Sequence, residues 1–278
     1  MRVYFDRLRS IDYLLLFATF ALVSFGLAAI YSVELSREAT NLLLVKKQFI
    51  AALIGLILML GMTISNFRQL RSYSFLAYMI GICLLIAVLF FGQTVRGTTG
   101  WFVFGSFSFQ PVEFMKVALI IQLATYFSQH ARKRFGLREL FESGFMTALP
   151  VSLTILQPDF GSAMLLLAIW VIIIFFAGIR GRHITMLSIT LLLIGVVGWF
   201  FLLQDFQRAR LTTFVNPALD PLGEGYNVAQ AMIAVGAGGW FGRGLGFGSQ
   251  SQLKFLPESQ TDFVFAVISE ELGFIGVM

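Results

Sequence analysis

Acids are scarce in this chain, so their positions are informative. In KFLPESQTDFVF, Glu258 and Asp262 stand just ahead of an apolar run that begins at Phe263. A carboxylate held partly out of water is a better proton acceptor than one in bulk solvent, which suits it to general-base work on an attacking hydroxyl. The plainer role is a helix cap, with Thr261 or Asp262 accepting from the free N–H groups of the first turn. The two roles are compatible, because a capping Asp keeps lone pairs to spare.

Other polar residues sit at similar places. Glu113 and Lys116 lie in FQPVEFMKV, where Pro111 suits a first helical position. Their spacing of three puts both side chains on one helix face. An ionisable pair in an apolar helix is either functional or an ion pair that neutralises two buried charges. QPDFG places Asp159 at another helix start, where capping is the simpler role. Glu270 and Glu271 follow Phe263 by about two turns, roughly 12 Å at 1.5 Å per residue, so at least one must face a partner or the bundle interior. Arg208 and Arg210 in DFQRARLTTFVNP can hold phosphate bidentately or snorkel to lipid headgroups. The glycine-dense GRGLGFGSQSQ, which holds Gln250, could offer backbone N–H groups to an anion. It lacks the G-x-G-x-x-G spacing of a dinucleotide loop.

The elements that position these residues must be helices in lipid. The chain has 278 residues, of which 58% are hydrophobic and 13% charged, with a mean hydropathy of +0.83. Soluble chains carry about 25% charged residues. Only a helical bundle or a closed barrel satisfies its backbone in a bilayer, and runs of this length read as helices. The expected fold is an all-α polytopic membrane bundle. Its spans are Tyr13–Tyr31, Phe49–Ile64, Tyr73–Phe91, Val112–Ser128, Phe145–Leu156, Ser162–Gly178 and Thr185–Leu203. An eighth starts at Phe263 and meets the chain end at Met278. The fifth is short and is expected to begin near Leu140. One cysteine excludes an intrachain disulfide, and two histidines with it cannot make an ordinary zinc site. The net charge of +5 is spread between the apolar runs, which argues topology and not nucleic acid.

Lys and Arg in short loops set that topology. Arg2, Arg7, Arg9, Arg68, Arg71, Arg132, Lys133, Arg134, Arg138, Arg180 and Arg182 fall on one side, which reads as cytoplasmic with the N-terminus inside. The loops Gly92–Pro111 and Gln204–Thr261 then face outward. The second is long for a structureless connection. It holds YNVAQAMIAVGAGGWFG, apolar enough to lie against or dip into the membrane. Acids, arginines and a glycine-rich loop meeting at the outer bilayer surface suit a lipid-linked, anionic substrate.

FQPVEFMK, LQPDFGSA and the long stretch GEGYNVAQAMIAVGAGGWFGRGLGFGSQSQLKFLPESQTDFVFAVISEELGFIG resemble the RodA/FtsW/SpoVE (SEDS) family. The resemblance runs along nearly the whole chain, as one domain over 1–278, and the short N-terminus looks more like RodA than FtsW. It implies a ten-helix peptidoglycan glycosyltransferase in the bacterial cytoplasmic membrane. Such an enzyme polymerises lipid II at the outer face, beside a class B penicillin-binding protein, in a complex for cell elongation or division. Asp262 matches the family's essential aspartate and is implied as the base. Arg210, with Arg208 or a divalent cation (Mg or Mn), is implied at the leaving pyrophosphate. Glu113, Lys116 and Trp101 match residues implied to bind substrate, and Glu258, Asp159 and Gln250 lie in the matching motifs. Whether any cofactor is needed stays open.

Three positions depart from the family pattern. Gln260 stands where His is usual, Gly100 where many members have Arg, and Lys254 where some have an acid. By this resemblance the rest of the eighth helix and two further helices are expected to be missing. A flippase for the same lipid precursor, or a scaffold active only through a partner enzyme, are the competing readings.

Overall fold

The structure is a computed structural model that describes residues 12–35, 42–64, 67–95, 97–105, 107–130, 136–179, 181–202, 205–221, 223–253, 255–256 and 259–278. The chain forms two compact units, residues 66–197 and residues 1–65 with 198–278.

The 66–197 unit runs α1 Phe67–Phe91, β1 Gln93–Val95, β2 Thr98–Phe104, β3 Phe107–Phe109, α2 Pro111–His130, α3 Leu137–Leu156, α4 Phe160–Ala177 and α5 Gly181–Val197. Its core forms around α2. That helix opens on Pro111, whose missing N–H has no helical partner to lose. Val112, Met115, Leu119, Leu123 and Phe127 recur every three or four residues and are buried. Tyr78, Ile82 and Leu85 of α1 face them, as do Ala163, Leu166, Trp170 and Ile174 of α4. α1 approaches α2 closely at Gly81, where a Cβ would lie 2.5 Å from the Met115 sulfur.

α3 carries Pro150 in its interior. Proline has no N–H for the carbonyl four residues back, which belongs to Met146. The Tyr78 hydroxyl donates to that carbonyl at 2.7 Å. A neighbouring helix thus supplies the hydrogen bond that proline removes, as lipid surroundings require. The Trp170 indole likewise donates to Ser143 Oγ at 3.0 Å.

The loop 92–110 is ordered as an antiparallel meander in the order β1-β2-β3. Gly97 and Gly105 occupy its two turns at φ +85° and +59°, a region glycine enters without steric cost. This small sheet is the only β-structure among the described residues.

The second unit contains α6 Tyr13–Leu35 and α7 Leu43–Ile64, a π turn at Gly198–Leu202, α8 Asp205–Val215, a 3-10 turn at Pro217–Leu219, α9 Glu224–Gly238, α10 Ser249–Gln252 and α11 Val264–Val277. Ala29 and Val33 of α6, Ala234 of α9, and Ala266 and Val267 of α11 form its core with Leu256. The long 204–261 segment is therefore largely helical, and its apolar stretch is α9, packed on α11.

Five helices among the described residues are long and apolar enough to cross a bilayer: Tyr13–Leu35, Leu43–Thr63, Arg68–Phe91, Phe160–Ala177 and Gly181–Phe201. The protein is a multi-pass membrane protein. α2 and α3 have 20 residues each, about 30 Å of helix at 1.5 Å per residue, but carry more polar groups. α3 begins at Leu137, earlier than the apolar run suggests, because its first two turns are polar.

Candidate functional site

Asp262 lies in the turn entering α11, and its side chain is exposed. The N-cap position of α11 falls on Phe263, which makes no side-chain cap bond. The cap thus falls one residue after Asp262, where Thr261 or Asp262 was expected. Two residues back, Gln260 Nε2 donates to Glu34 Oε1 of α6 at 2.6 Å, and Glu34 is 1% exposed. The turn that carries Asp262 is tied to a different helix by this bond.

On its other side the turn continues into α11, which is itself braced. Gly273 interrupts α11 at φ +68°. The amides of Phe274 and Ile275, which an unbroken helix would direct to Glu270 and Glu271, donate instead to the carbonyls of Gly239 (2.9 Å) and Trp240 (3.1 Å). The carbonyls of Glu270 and Glu271 accept from Arg243 N and Gly244 N, each at 2.9 Å. Every group freed by the break is paired across to the glycine turn. The exchange needs close backbone contact. A Cβ on Gly238 would collide with the Ser269 carbonyl, and one on Gly242, at φ +76°, with the Glu271 carbonyl.

The N–H groups of the glycine run are largely spent inside the protein, those of Gln250 and Ser251 on the Glu270 carboxylate. The N–H groups of Gly242, Arg243, Gly244 and Phe247 all donate within the protein. The glycines serve backbone approach instead. The Arg243 guanidinium is also engaged, with the Ala237 carbonyl at 3.2 Å and Ser249 Oγ at 3.1 Å.

The paired acids of α11 have separate tasks. Glu270 is fully buried. It accepts from Gln250 N at 2.8 Å, Ser251 N at 3.1 Å and Ser249 Oγ at 3.3 Å, so it caps the short α10 from outside. Glu271 is 1% exposed and accepts from Ser32 Oγ at 2.5 Å. Gln252 Nε2 donates to the Ser32 carbonyl at 3.2 Å. Gln250 spends its amide on Glu270 and its carbonyl on Leu256 N at 3.2 Å, and its side-chain oxygen is buried.

Arg208 lies on the separate helix α8 and not at the end of a long seventh span. It donates to the Phe200 carbonyl at 3.2 Å and stands 3.6 Å from Asp205. The backbone of Arg210 is on the same helix, and its side chain lies outside those described. Glu258 and Lys254 lie outside the described residues.

The other candidates belong to the 66–197 unit. Glu113 and Lys116 form a bidentate ion pair, with Lys116 Nζ 2.8 Å from Oε1 and 2.7 Å from Oε2. Glu113 is 59% exposed and Lys116 20%, so the pair is not the buried one its setting suggested. Asp159 caps α4: Oδ1 accepts from Ser162 N at 3.0 Å, and Oδ2 from Ser162 Oγ at 2.7 Å. Oδ2 also accepts from Gln110 Nε2 at 3.0 Å, which ties the cap to the residue before α2. Beside it, Gln157 holds the Leu85 carbonyl at 3.2 Å through its side chain and Thr99 N at 3.2 Å through its carbonyl. QPD is therefore a latch that fixes the meander and the start of α2. Trp101 is half-buried on β2, opposite Gln93. At Gly100, just before it, a Cβ would lie 3.2 Å from Gln157 Oε1.

The sequence profile of FtsW, RodA and SpoVE, described as a cell cycle protein, matches residues 13–278. The chain belongs to the FtsW/RodA/SpoVE family. It is 37% identical to the stage V sporulation protein E of Bacillus subtilis over 95% of its own length and 74% of that protein's. It is 35% identical to the peptidoglycan glycosyltransferase MrdB of Escherichia coli K12, over 81% of this chain and 60% of MrdB. Among solved structures it is similar to a chain of a peptidoglycan synthase complex described as coordinating polymerization and crosslinking. That match has a TM-score of 0.72 and 31% identity, over 96% of this chain and 73% of the other.

Against that family frame, the residue that sequence reasoning missed is Glu34. A single acid in the last turn of an apolar helix has no periodic signature, and its partner Gln260 is 226 positions away. The signal available was its burial cost: an acid beside lipid needs a donor.

Proposed function

We propose that this FtsW/RodA/SpoVE chain is a peptidoglycan glycosyltransferase that polymerises lipid II at the outer face of the bacterial cytoplasmic membrane. The reading is carried by one observation: within a family match covering residues 13–278, Asp262 is exposed on a turn held by Gln260 and by the braced helix α11. A catalytic base needs access to its substrate and a fixed position, and that setting supports both.

In the proposed step, Asp262 takes the proton of the acceptor sugar's 4-hydroxyl. The oxygen forms a bond to the donor's anomeric carbon as the bond from that carbon to the pyrophosphate oxygen breaks. Undecaprenyl pyrophosphate leaves with the electron pair, and the α-linked donor becomes a β-linked glycan. Arg210, with Arg208, stabilises the charge developing on the leaving group. Glu258 and Gln250 are substrate contacts in the same unit. Trp101, Glu113, Lys116 and Asp159 are proposed separately as substrate contacts of the 66–197 unit. A divalent cation (Mg or Mn), held by one or two carboxylates and the pyrophosphate, would supply further positive charge at the leaving group, and no step is routed through it. The solved synthase complex supports a class B penicillin-binding protein as the cross-linking partner, in a complex for elongation or division.

The test is lipid II polymerisation by purified protein with a class B partner, wild type against Asp262→Asn. Long glycan from the first and a loss of about a hundredfold or more in the second is the expected result for a general base. Equal product from both moves the chemistry to the partner and leaves this protein a scaffold. No product from either, with lipid II transferred between vesicle leaflets, makes it a flippase.

A further inference from the structure

The meander of the 66–197 unit has two unlike faces, and the proposed reaction uses only the one that carries Trp101. Across the β2–β3 hairpin, Phe102 stands opposite Phe109 and Phe104 opposite Phe107. Directly opposed residues share a face, as do residues two apart on one strand, so these rings all lie on one side. The rings of Phe102 and Phe104 stack, with centroids 6.3 Å apart. Trp101, Val103 and Ser108 alternate with them on the other side.

The phenylalanine face is buried at its base and open at its tip. Gly100 belongs to the same face and is buried against helix ends. A Cβ there would lie 3.2 Å from Gln157 Oε1, at the end of α3, and 3.8 Å from Gln110 Nε2, just ahead of α2. Phe102 and Phe109 are half-buried. Phe104 and Phe107, at the tip, are 68% and 62% exposed. The face that rests on the bundle at Gly100 thus runs on past it, about 13 Å further out at 3.3 Å per residue. It stays turned toward the layer in which the helices stand.

That layer is lipid. α1 crosses it and ends on Phe90 and Phe91, which are 78% and 77% exposed. One residue, Gly92, separates Phe91 from β1, so the lipid-facing surface of the span ends right beside the sheet. From Gly97 to Gln110 the sequence has no charged residue. An exposed apolar face of this kind marks an interaction surface and not a water-facing loop. The sheet edges set its depth. β1 and β3 are edge strands, each with one side unpaired in the sheet. Unpaired backbone groups are costly in the hydrocarbon core but find water among the headgroups. The strands therefore lie at headgroup level while the rings reach inward.

We infer that the β2–β3 hairpin is an interfacial anchor. Phe104 and Phe107, with Phe102 and Phe109 behind them, insert where headgroups meet acyl chains. The partner is the lipid surface itself, met by apolar contact and not through headgroup charge. Insertion turns Trp101 and Ser108 away from the lipid and fixes their height above it. The glycosyltransferase reading does not enter this assignment.

Nitroxide labels on Phe104→Cys, Phe107→Cys and Ser108→Cys, each with the sole native cysteine removed by Cys83→Ser, test it in phosphatidylcholine nanodiscs. Oxygen concentrates among acyl chains, and a nickel chelate stays in water. The labels replacing Phe104 and Phe107 should collide with oxygen and be shielded from nickel, at a depth of about 5–10 Å into the headgroup boundary. The label replacing Ser108 should show the reverse. Wild-type protein gives a second measurement that needs no substitution. A phosphatidylcholine with a diazirine on its acyl chain should leave carbene adducts on the Phe102–Phe109 segment. Nickel access at Phe104 and Phe107 equal to that at Ser108 overturns the anchor and makes the face a docking surface for another protein. Exclusion of both reagents, or a wild-type segment free of adducts, overturns it as well.

Discussion

Gln260 and Glu34 are joined at 2.6 Å, and through them the turn bearing Asp262 is fastened to the end of α6. Gln260 is a neutral amide, used here as a fixed donor. If positioning of Asp262 depends on this bond, Gln260→Leu and Glu34→Leu should each slow polymerisation about tenfold. The double variant should be no slower than either single, because both remove the same contact. Rates for the three variants check this; losses that multiply would separate the two residues.

Glu113 and Lys116 lend themselves to a different comparison. An exposed ion pair contributes about 0–1 kcal/mol. The variant Glu113→Gln/Lys116→Gln should therefore melt close to wild type while polymerising more slowly. A variant that melts early, yet works at the wild-type rate below its melting point, would make the pair purely structural.

Tyr78→Phe should destabilise the protein by about 1–3 kcal/mol, because the Met146 carbonyl opposite Pro150 then loses its donor inside the bundle. Adding Pro150→Ala should recover much of that loss by returning an N–H to the same carbonyl. Thermal unfolding in detergent of the two variants measures both effects. No recovery in the double variant would mean that the hydroxyl acts elsewhere.

Gly242→Ala should cost at least about 2 kcal/mol, since it strains a positive φ and drives a Cβ into the Glu271 carbonyl. Gly236→Ala, in α9 with no atom within 4 Å of the new Cβ, should be neutral or stabilising by up to about 1 kcal/mol. Equal melting of the two variants would show that the glycine turn tolerates side chains.

Five of the expected spans were legible because apolar runs long enough for a bilayer leave little choice of structure. The cap at Asp159 was legible for a local reason, as QPDFG carries its own start signal. The Glu113–Lys116 pair followed from helical spacing alone. What escaped the sequence depends on distant partners. The glycine run looked like a donor surface, because nothing local shows where its N–H groups go. Only the break at Gly273, which reads as one more glycine in an apolar helix, reveals that α11 takes those of Arg243 and Gly244. The meander in loop 92–110 hides similarly, since short Phe-rich strands look like the rest of an apolar chain.

The four bonds around Gly273 also bind two segments into a single opening event. Phe274 and Ile275 cannot expose their amides without releasing Gly239 and Trp240, and Arg243 and Gly244 cannot without abandoning Glu270 and Glu271. Local unfolding normally proceeds in contiguous stretches of chain. Here it must proceed across two. Those four amides should therefore share one hydrogen-exchange protection factor, and the turn should fray only when the end of α11 frays with it.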